Sequence, residues 1–108
     1  MFKAVILLTR GANQSPEDFR SWWIDHHAPL ARQLPLLRRL TFNLVDPQLQ
    51  DPGSDVPPYD GVSELWFDTR EDFDAAYQSE IGKKVASDSL QHVSGRLRLL
   101  VTEYQLVS

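Results

Sequence analysis

The run FKAVILLTR, Phe2–Arg10, is apolar at five consecutive positions, Ala4 to Leu8. Its β-branched and large aliphatic residues, followed by the turn cluster RGANQS, read as a strand. A strand sends alternate side chains to opposite faces. Ala4, Ile6 and Leu8 therefore line one face and Val5 and Leu7 the other. Each aliphatic side chain left in water forgoes about 1.5–3 kcal/mol of burial. The chain must therefore fold so that this strand is covered on both sides.

The rest of the sequence says what can cover it. Ser15 is a good helix cap, Pro16 suits the first helical position, and Asp18 stands three residues after the cap. Phe19, Trp23, His27, Leu30, Ala31 and Leu34 follow at helical spacing and form one face. Pro29 interrupts this helix, because it donates no hydrogen bond and crowds the preceding turn, at about 3 kcal/mol. The expectation is a kink or break near His27–Ala28, then another short helical turn. A carbonyl near Asp25 would be left for water or a side chain. LRRLTFNLV reads as a second strand, with Leu40, Phe42 and Leu44 on one face and Arg39, Thr41 and Asn43 on the other. Asp46–Asp60 holds four of the 7 prolines and four aspartates and reads as a long loop. GVSELWFDT is a third strand. Thr69, with Asp72 as its capping-box partner, opens a second helix. Gly82 is expected to interrupt it, and KKVASDSLQHV to resume. RLRLLVTEYQLV is the last strand, with Leu97, Leu99 and Val101 against Leu100, Tyr104 and Leu106.

The order β-α-β-β-α-β predicts an α+β, ferredoxin-like subunit with a four-stranded antiparallel sheet. With 108 residues the chain suits a single domain, residues 1–108. Its helices can cover one sheet face and nothing remains for the other. The first and last strands are apolar on both faces, so a second copy packing sheet to sheet as a two-fold homodimer is expected.

Charge and composition remove several classes. A net charge of −4 argues against nucleic-acid binding, which calls for a basic stripe. The absence of cysteine excludes disulfides, thiolate metal sites and cysteine nucleophiles. The apolar run Ala4–Leu8 is too short to span a membrane or form a signal-peptide core, so a cytoplasmic protein without membrane association is expected.

The residues able to carry chemistry crowd into SWWIDHHAPLARQLP, Ser21–Pro35. His27 has Trp23 four residues before it and Leu30 three after, which puts it on the inner helix face beside the proline break. Imidazole titrates near neutrality, so modest shifts make it an acid or a base. A satisfied core histidine is the plain alternative. His26 points about 100° away on a helix, so the two do not chelate one metal, and His92 reads as an exposed helix-end residue. No metal site is expected. Glu64 shares a strand face with Val62 and Trp66. If that face meets the helices, Glu64 is a carboxylate with a raised pKa or an orienter of a histidine; otherwise it pairs with Arg39 or Arg98. Asp60 is a turn residue or a ligand contact at the end of the loop. Tyr59, Tyr77 and Tyr104 each offer a hydroxyl. P-loop, dinucleotide and nucleophile-elbow motifs are missing.

The runs FRSWWIDHHAPLARQLPLLRRL, YDGVSELWFDTREDFDAAYQSE and GKKVASDSLQHV resemble the EthD-like family of dimeric α/β-barrel proteins. W…HHAPLA…LP is the most distinctive block, and Asp88 also fits. The similarity covers nearly all the chain outside the Asp46–Pro58 loop. It implies a ferredoxin-like subunit, dimerised through its sheets into an α/β barrel, with a pocket between sheet and helices. His27, the histidine before Ala-Pro, is the pocket histidine that the resemblance implies, with His26 beside it. Barrel relatives include lactone isomerases, polyketide cyclases, cofactor-independent monooxygenases and haem-binding enzymes, and a shared fold does not choose among them.

The resulting expectation is a small enzyme without a cofactor, of isomerase, cyclase or oxygenase type, acting on a hydrophobic cyclic or aromatic metabolite. His27 would be its acid/base, with His26 and Glu64 as further catalytic candidates. Trp23, Phe42, Trp66 and Tyr77 would form apolar walls, and Tyr59 and Asp60 would orient the ligand. The alternatives are a non-catalytic small-ligand-binding accessory protein and a haem-binding barrel with a histidine ligand.

Overall fold

The computed structural model describes all residues, Met1–Ser108. Four strands, β1 (Phe2–Arg10), β2 (Arg39–Leu44), β3 (Gly61–Phe67) and β4 (Val93–Thr102), form one sheet in the order β2-β3-β1-β4. All neighbouring pairs are antiparallel. Between β1 and β2 run α1 (Pro16–Arg20), a π-helical segment (Ser21–His27) and α2 (Ala28–Ala31). Between β3 and β4 run α3 (Arg70–Gln78) and α4 (Glu80–His92). This is the ferredoxin-like βαββαβ arrangement.

The helix-bearing face of the sheet holds the core. Ala4, Ile6, Leu8, Leu65 and Phe67 are buried against Phe19, Trp22, Trp23, Ala31, Leu34, Phe73, Ala76 and Val85. Register assigns the faces: Ala4 pairs with Leu65 and Leu100, whereas Val5 pairs with Glu64 and Leu99. Val62, Glu64 and Trp66 thus lie on the outer face, with Lys3, Val5 and Leu7, away from the helices. Leu97 and Leu99 remain 43% and 45% exposed there. β4 ends at Thr102, so Tyr104 and Leu106 run beyond the sheet and are exposed instead of forming a strand face.

The first helix begins as its residues predict. Ser15 Oγ accepts from the Asp18 amide at 3.1 Å, and Asp18 Oδ2 accepts from the Ser15 amide at 3.2 Å. Pro29 does not break it. The chain instead widens into i→i+5 turns, and the Ala28 amide donates to the Trp23 carbonyl. Helical backbone continues through Pro29 to Ala31. The wider turn brings Trp22 inward along with Trp23 and His27, a residue that regular helical spacing puts elsewhere.

The second helical region breaks at Ser79, not at Gly82. Ser79 is extended (φ −68°, ψ 165°), its Oγ donates to the Ala76 carbonyl at 2.6 Å, and it accepts from the Gly82 amide at 3.0 Å, capping α4. Gly82 lies inside α4 because a Cβ there would meet the Ala76 carbonyl oxygen at 2.1 Å. At the start of α3 the Asp72 amide donates to Thr69 Oγ1, without the reciprocal half of a capping box. The Asp46–Asp60 stretch is a loop with a single 3-10 turn at Pro47–Leu49.

Candidate functional site

The end of the π segment delivers His27, and the middle of α4 delivers Asp88 and Ser89. His27 is 5% exposed. Its Nδ1 lies 2.8 Å from Asp88 Oδ2 and its Nε2 lies 3.3 Å from Ser89 Oγ. A carboxylate only accepts, so the short contact places the proton on Nδ1. In the neutral ring Nε2 then carries the lone pair, beside the Ser89 hydroxyl. Burial pushes the imidazole pKa below its usual 6.5, while the hydrogen bond to Asp88 pulls it back up. The lowered pKa favours a neutral imidazole, and the Asp88 contact makes Nε2 its one basic nitrogen.

Asp88 is itself held from two other directions. Trp22 Nε1 donates to Oδ2 at 3.2 Å. His92 Nδ1 donates to the Asp88 backbone carbonyl at 2.8 Å and lies 3.3 Å from Oδ1. The Trp22 ring lies between the two imidazoles, with centroids 4.8 Å from His92 and 4.9 Å from His27. These contacts fix the carboxylate that fixes the tautomer of the His27 ring.

His27 and Ser89 face a narrow internal cavity, about 20 Å³, between helices and sheet. Trp23, Phe42, Tyr77, Val85 and Ser63 are among its walls, and Arg96 on β4 enters it from the edge of the sheet. Trp23 stacks on Phe42 at 4.3 Å with the rings 8° apart. Gly61 permits this, because a Cβ there would come within 2.7 Å of the indole. The cavity has room for about one water. A space of that size beside His27 does not fit a haem.

The structure therefore gathers only part of the expected set. His27, Trp23, Phe42 and Tyr77 line one cavity. Glu64 and Trp66 do not, because the strand alternation runs in the opposite phase. Glu64 pairs with Lys3 Nζ at 2.6 Å, and accepts from Asn43 Nδ2 at 3.0 Å, so its partner is neither Arg39 nor Arg98. Lys3 holds the Glu64 carboxyl below its usual range, the reverse of a raised pKa. Trp66 lies under Lys3 and Arg39, 4.7 and 4.6 Å from its ring, and donates to Glu103 at 2.9 Å. Asp60 is a clamp on β1: its carboxylate takes the Arg10 amide at 2.9 Å and the Arg10 guanidinium at 3.1 Å. It borders a separate depression of about 220 Å³ with Phe19 and Leu44, and Tyr59 lines neither space. His26 is exposed and lies by an open depression with Trp22, Asp88 and His92. No three His, Asp or Glu side chains are grouped to hold a metal ion.

Trp22, Ser89, His92 and Arg96 were absent from the expected site, and Asp88 entered only through the family pattern. Arg96 had one usable signal, since β4 alternation places it in phase with Leu100, which faces inward.

The EthD domain model matches residues 12–94. An uncharacterised 11.0 kDa protein of the thcB-thcC intergenic region of Rhodococcus erythropolis is 24% identical over 107 residues, covering 99% of this chain and 98% of that protein. Among solved structures, an ethyl tert-butyl ether d (EthD) family protein of Bacillus halodurans superposes with TM-score 0.81 at 20% identity, over 96% of this chain and all of that one. A dimeric ferredoxin-like protein of unknown function from Thermobifida fusca gives 0.71 at 15% identity, over 94% and 90%. SnoaB of Streptomyces nogalater, a cofactor-independent oxygenase, gives 0.70 at 16% identity, over 98% and 95%.

Proposed function

The chain belongs to the EthD family, and we propose that it is a small cofactor-independent enzyme in which His27 moves a proton next to a carbonyl of a hydrophobic metabolite. The observation that carries this reading is a buried imidazole whose Nδ1 lies 2.8 Å from Asp88 Oδ2, an acceptor, which leaves Nε2 as the basic nitrogen. In the simplest reaction Nε2 takes a proton from the carbon beside the carbonyl. The C–H electron pair becomes the C=C bond of an enolate, and the carbonyl oxygen takes the charge. The imidazolium, once its proton has exchanged with water, returns a proton to the enolate, at the same carbon or at another one, so the product is the substrate or an isomer and no oxidant is consumed. Ser89 Oγ, 3.3 Å from Nε2, steadies the ring. The similarity to a cofactor-independent oxygenase supports small-molecule chemistry on this fold.

The test is deuterium exchange in D2O, followed by NMR across cyclic unsaturated ketones and lactones. At least one compound should lose its α-hydrogen signal faster with the protein, and His27→Ala should slow this by about 10²–10⁴-fold. A rate unchanged by the substitution would sink the acid–base assignment and leave a non-catalytic binder.

The reading includes a two-fold homodimer built through the outer sheet face. Leu97 pairs with Leu7 and Leu99 with Val5 across β1 and β4, a contiguous apolar stripe that nothing in the chain covers. The Thermobifida fusca neighbour is described as dimeric. Sedimentation at micromolar concentration should give twice the 12.4 kDa chain mass. A monomer would refute it.

A further inference from the structure

The cavity beside His27 has an imbalance of hydrogen-bonding groups. None of its thirteen lining residues is Asp or Glu. Arg96 brings a guanidinium to it, and no carboxylate forms an ion pair with that group. Arg96 Nε is sealed from solvent with no acceptor. Trp23 lines the same cavity, is wholly buried, and its indole Nε1–H also has no acceptor. The other two indoles are satisfied, Trp22 by Asp88 and Trp66 by Glu103. The two orphan donors of the protein thus belong to side chains that line one space. Buried donors in a folded protein are almost always paired. Two left without acceptors around one cavity, one of them on a permanent cation, describe a missing acceptor that carries negative charge.

We propose that Arg96, with Trp23, is the anchor for an anionic oxygen of the ligand, so that the metabolite is a carboxylate or an enolisable carbonyl compound and not a plain hydrocarbon skeleton. The space of about 20 Å³ fits one oxygen atom of such a group. The apolar remainder then extends past Leu40, Phe42 and Tyr77, the only partly buried apolar walls. The inference rests on the acid–base reading for what that oxygen does: as His27 removes the proton, charge develops on the oxygen, and Arg96 stabilises it. The binding itself does not depend on that reading.

The experiment uses the full chain and two matched pairs of probes, acetate against acetamide and benzoate against benzamide, followed by ¹H–¹⁵N spectra of the three indole N–H groups. The carboxylates should bind about tenfold or more tightly than the amides, as a charge-assisted contact implies. They should move one indole signal downfield, that of Trp23, identified by its loss in Trp23→Phe. Arg96→Gln should erase the carboxylate preference, and Arg96→Lys should keep part of it, which separates lost charge from lost fold. His27→Ala should keep the preference for carboxylate over amide, whatever it does to the affinity of both. Equal affinity within each pair, no binding of either carboxylate at 10 mM or below (about the weakest contact of use), or a preference that survives Arg96→Gln would each overturn the anchor. Loss of exchange in His27→Ala with the carboxylate preference retained would uphold both assignments. Exchange insensitive to His27, with the preference intact, would remove only the acid–base reading.

Discussion

The two faces of the sheet handle charge in opposite ways. On the outer face Lys3 is shared between Glu64 at 2.6 Å and Glu103 at 3.2 Å, Asn43 and Trp66 donate to the same carboxylates, and Lys3 and Arg39 lie over the Trp66 ring. Lys3, Asn43, Glu64, Trp66 and Glu103 thus all have partners inside the chain. On the helix-bearing face Arg96 and Trp23 have unmatched donors, and His27 keeps a basic nitrogen whose one contact is a weak 3.3 Å hydroxyl. A matched cluster can be complete as it stands. An unmatched one needs a further molecule, and this distinguishes a structural charge cluster from a site better than the count of charged residues does.

The largest effect expected from disturbing this contrast is on stability. Trp23→Ala removes a side chain with no exposed surface, stacked on Phe42 and flat against Gly61. Urea unfolding should show a loss of about 3–5 kcal/mol. A cost near that of a surface change would mean that the helix-bearing face is not the principal core.

Next comes the outer face. Leu97→Lys sets a cation in the apolar stripe of both copies of a two-fold pair. Sedimentation equilibrium should show association weakened or abolished in favour of monomer, by about tenfold or more for the lost burial of one leucine. Unaltered mass would place any dimer contact elsewhere.

A smaller effect concerns pH. His27 has a depressed pKa, with burial as the main cause, and Asp88 opposes that depression. The unfolded chain therefore binds a proton at His27 more readily than the folded chain. Its contribution to stability is complete above about 6.5 and is lost as pH falls from there toward the folded pKa. Activity that needs neutral His27 should fall over the same acid window. Asp88→Asn removes the group that raises this pKa, so the acid limb of kcat/KM should move to lower pH. A limb moved to higher pH would contradict the placement of Asp88. Smallest of all, Glu64→Gln on the outer face should alter turnover by less than about twofold. A larger loss in the intact dimer would return Glu64 to the catalytic set.

The parts of this picture that were readable in the sequence are those set by local rules. Ser15 with Asp18, the faces of β1 and β2, the proline-rich loop and the inward side of His27 all follow from periodicity and capping chemistry. The phase of β3 was ambiguous because both of its faces carry large apolar groups: Leu65 and Phe67 on one, Val62 and Trp66 on the other. Ser63 and Gly61 made the true inner face look the weaker one. The site escaped for a different reason. Asp88 and Ser89 reach His27 across 61 and 62 residues, and Arg96 joins them from another strand. Such meetings are created by tertiary packing and leave no local pattern.

The widened turns between Ser21 and His27 have a consequence for how this helix can change by descent. Each residue of an α-helix advances the side-chain direction by about 100°. An i→i+5 segment stores one residue beyond what a regular turn would use. Deleting a residue there could straighten the segment, yet it would re-aim everything on one side of it relative to the other. Phe19 and Ala31 would no longer address the same sheet. Point substitutions can alter which ring occupies the His27 position, but only an insertion or deletion in this stretch can change the direction in which that position looks. Alignments within the family should therefore tolerate replacement across Ser21–His27 far more readily than a gap.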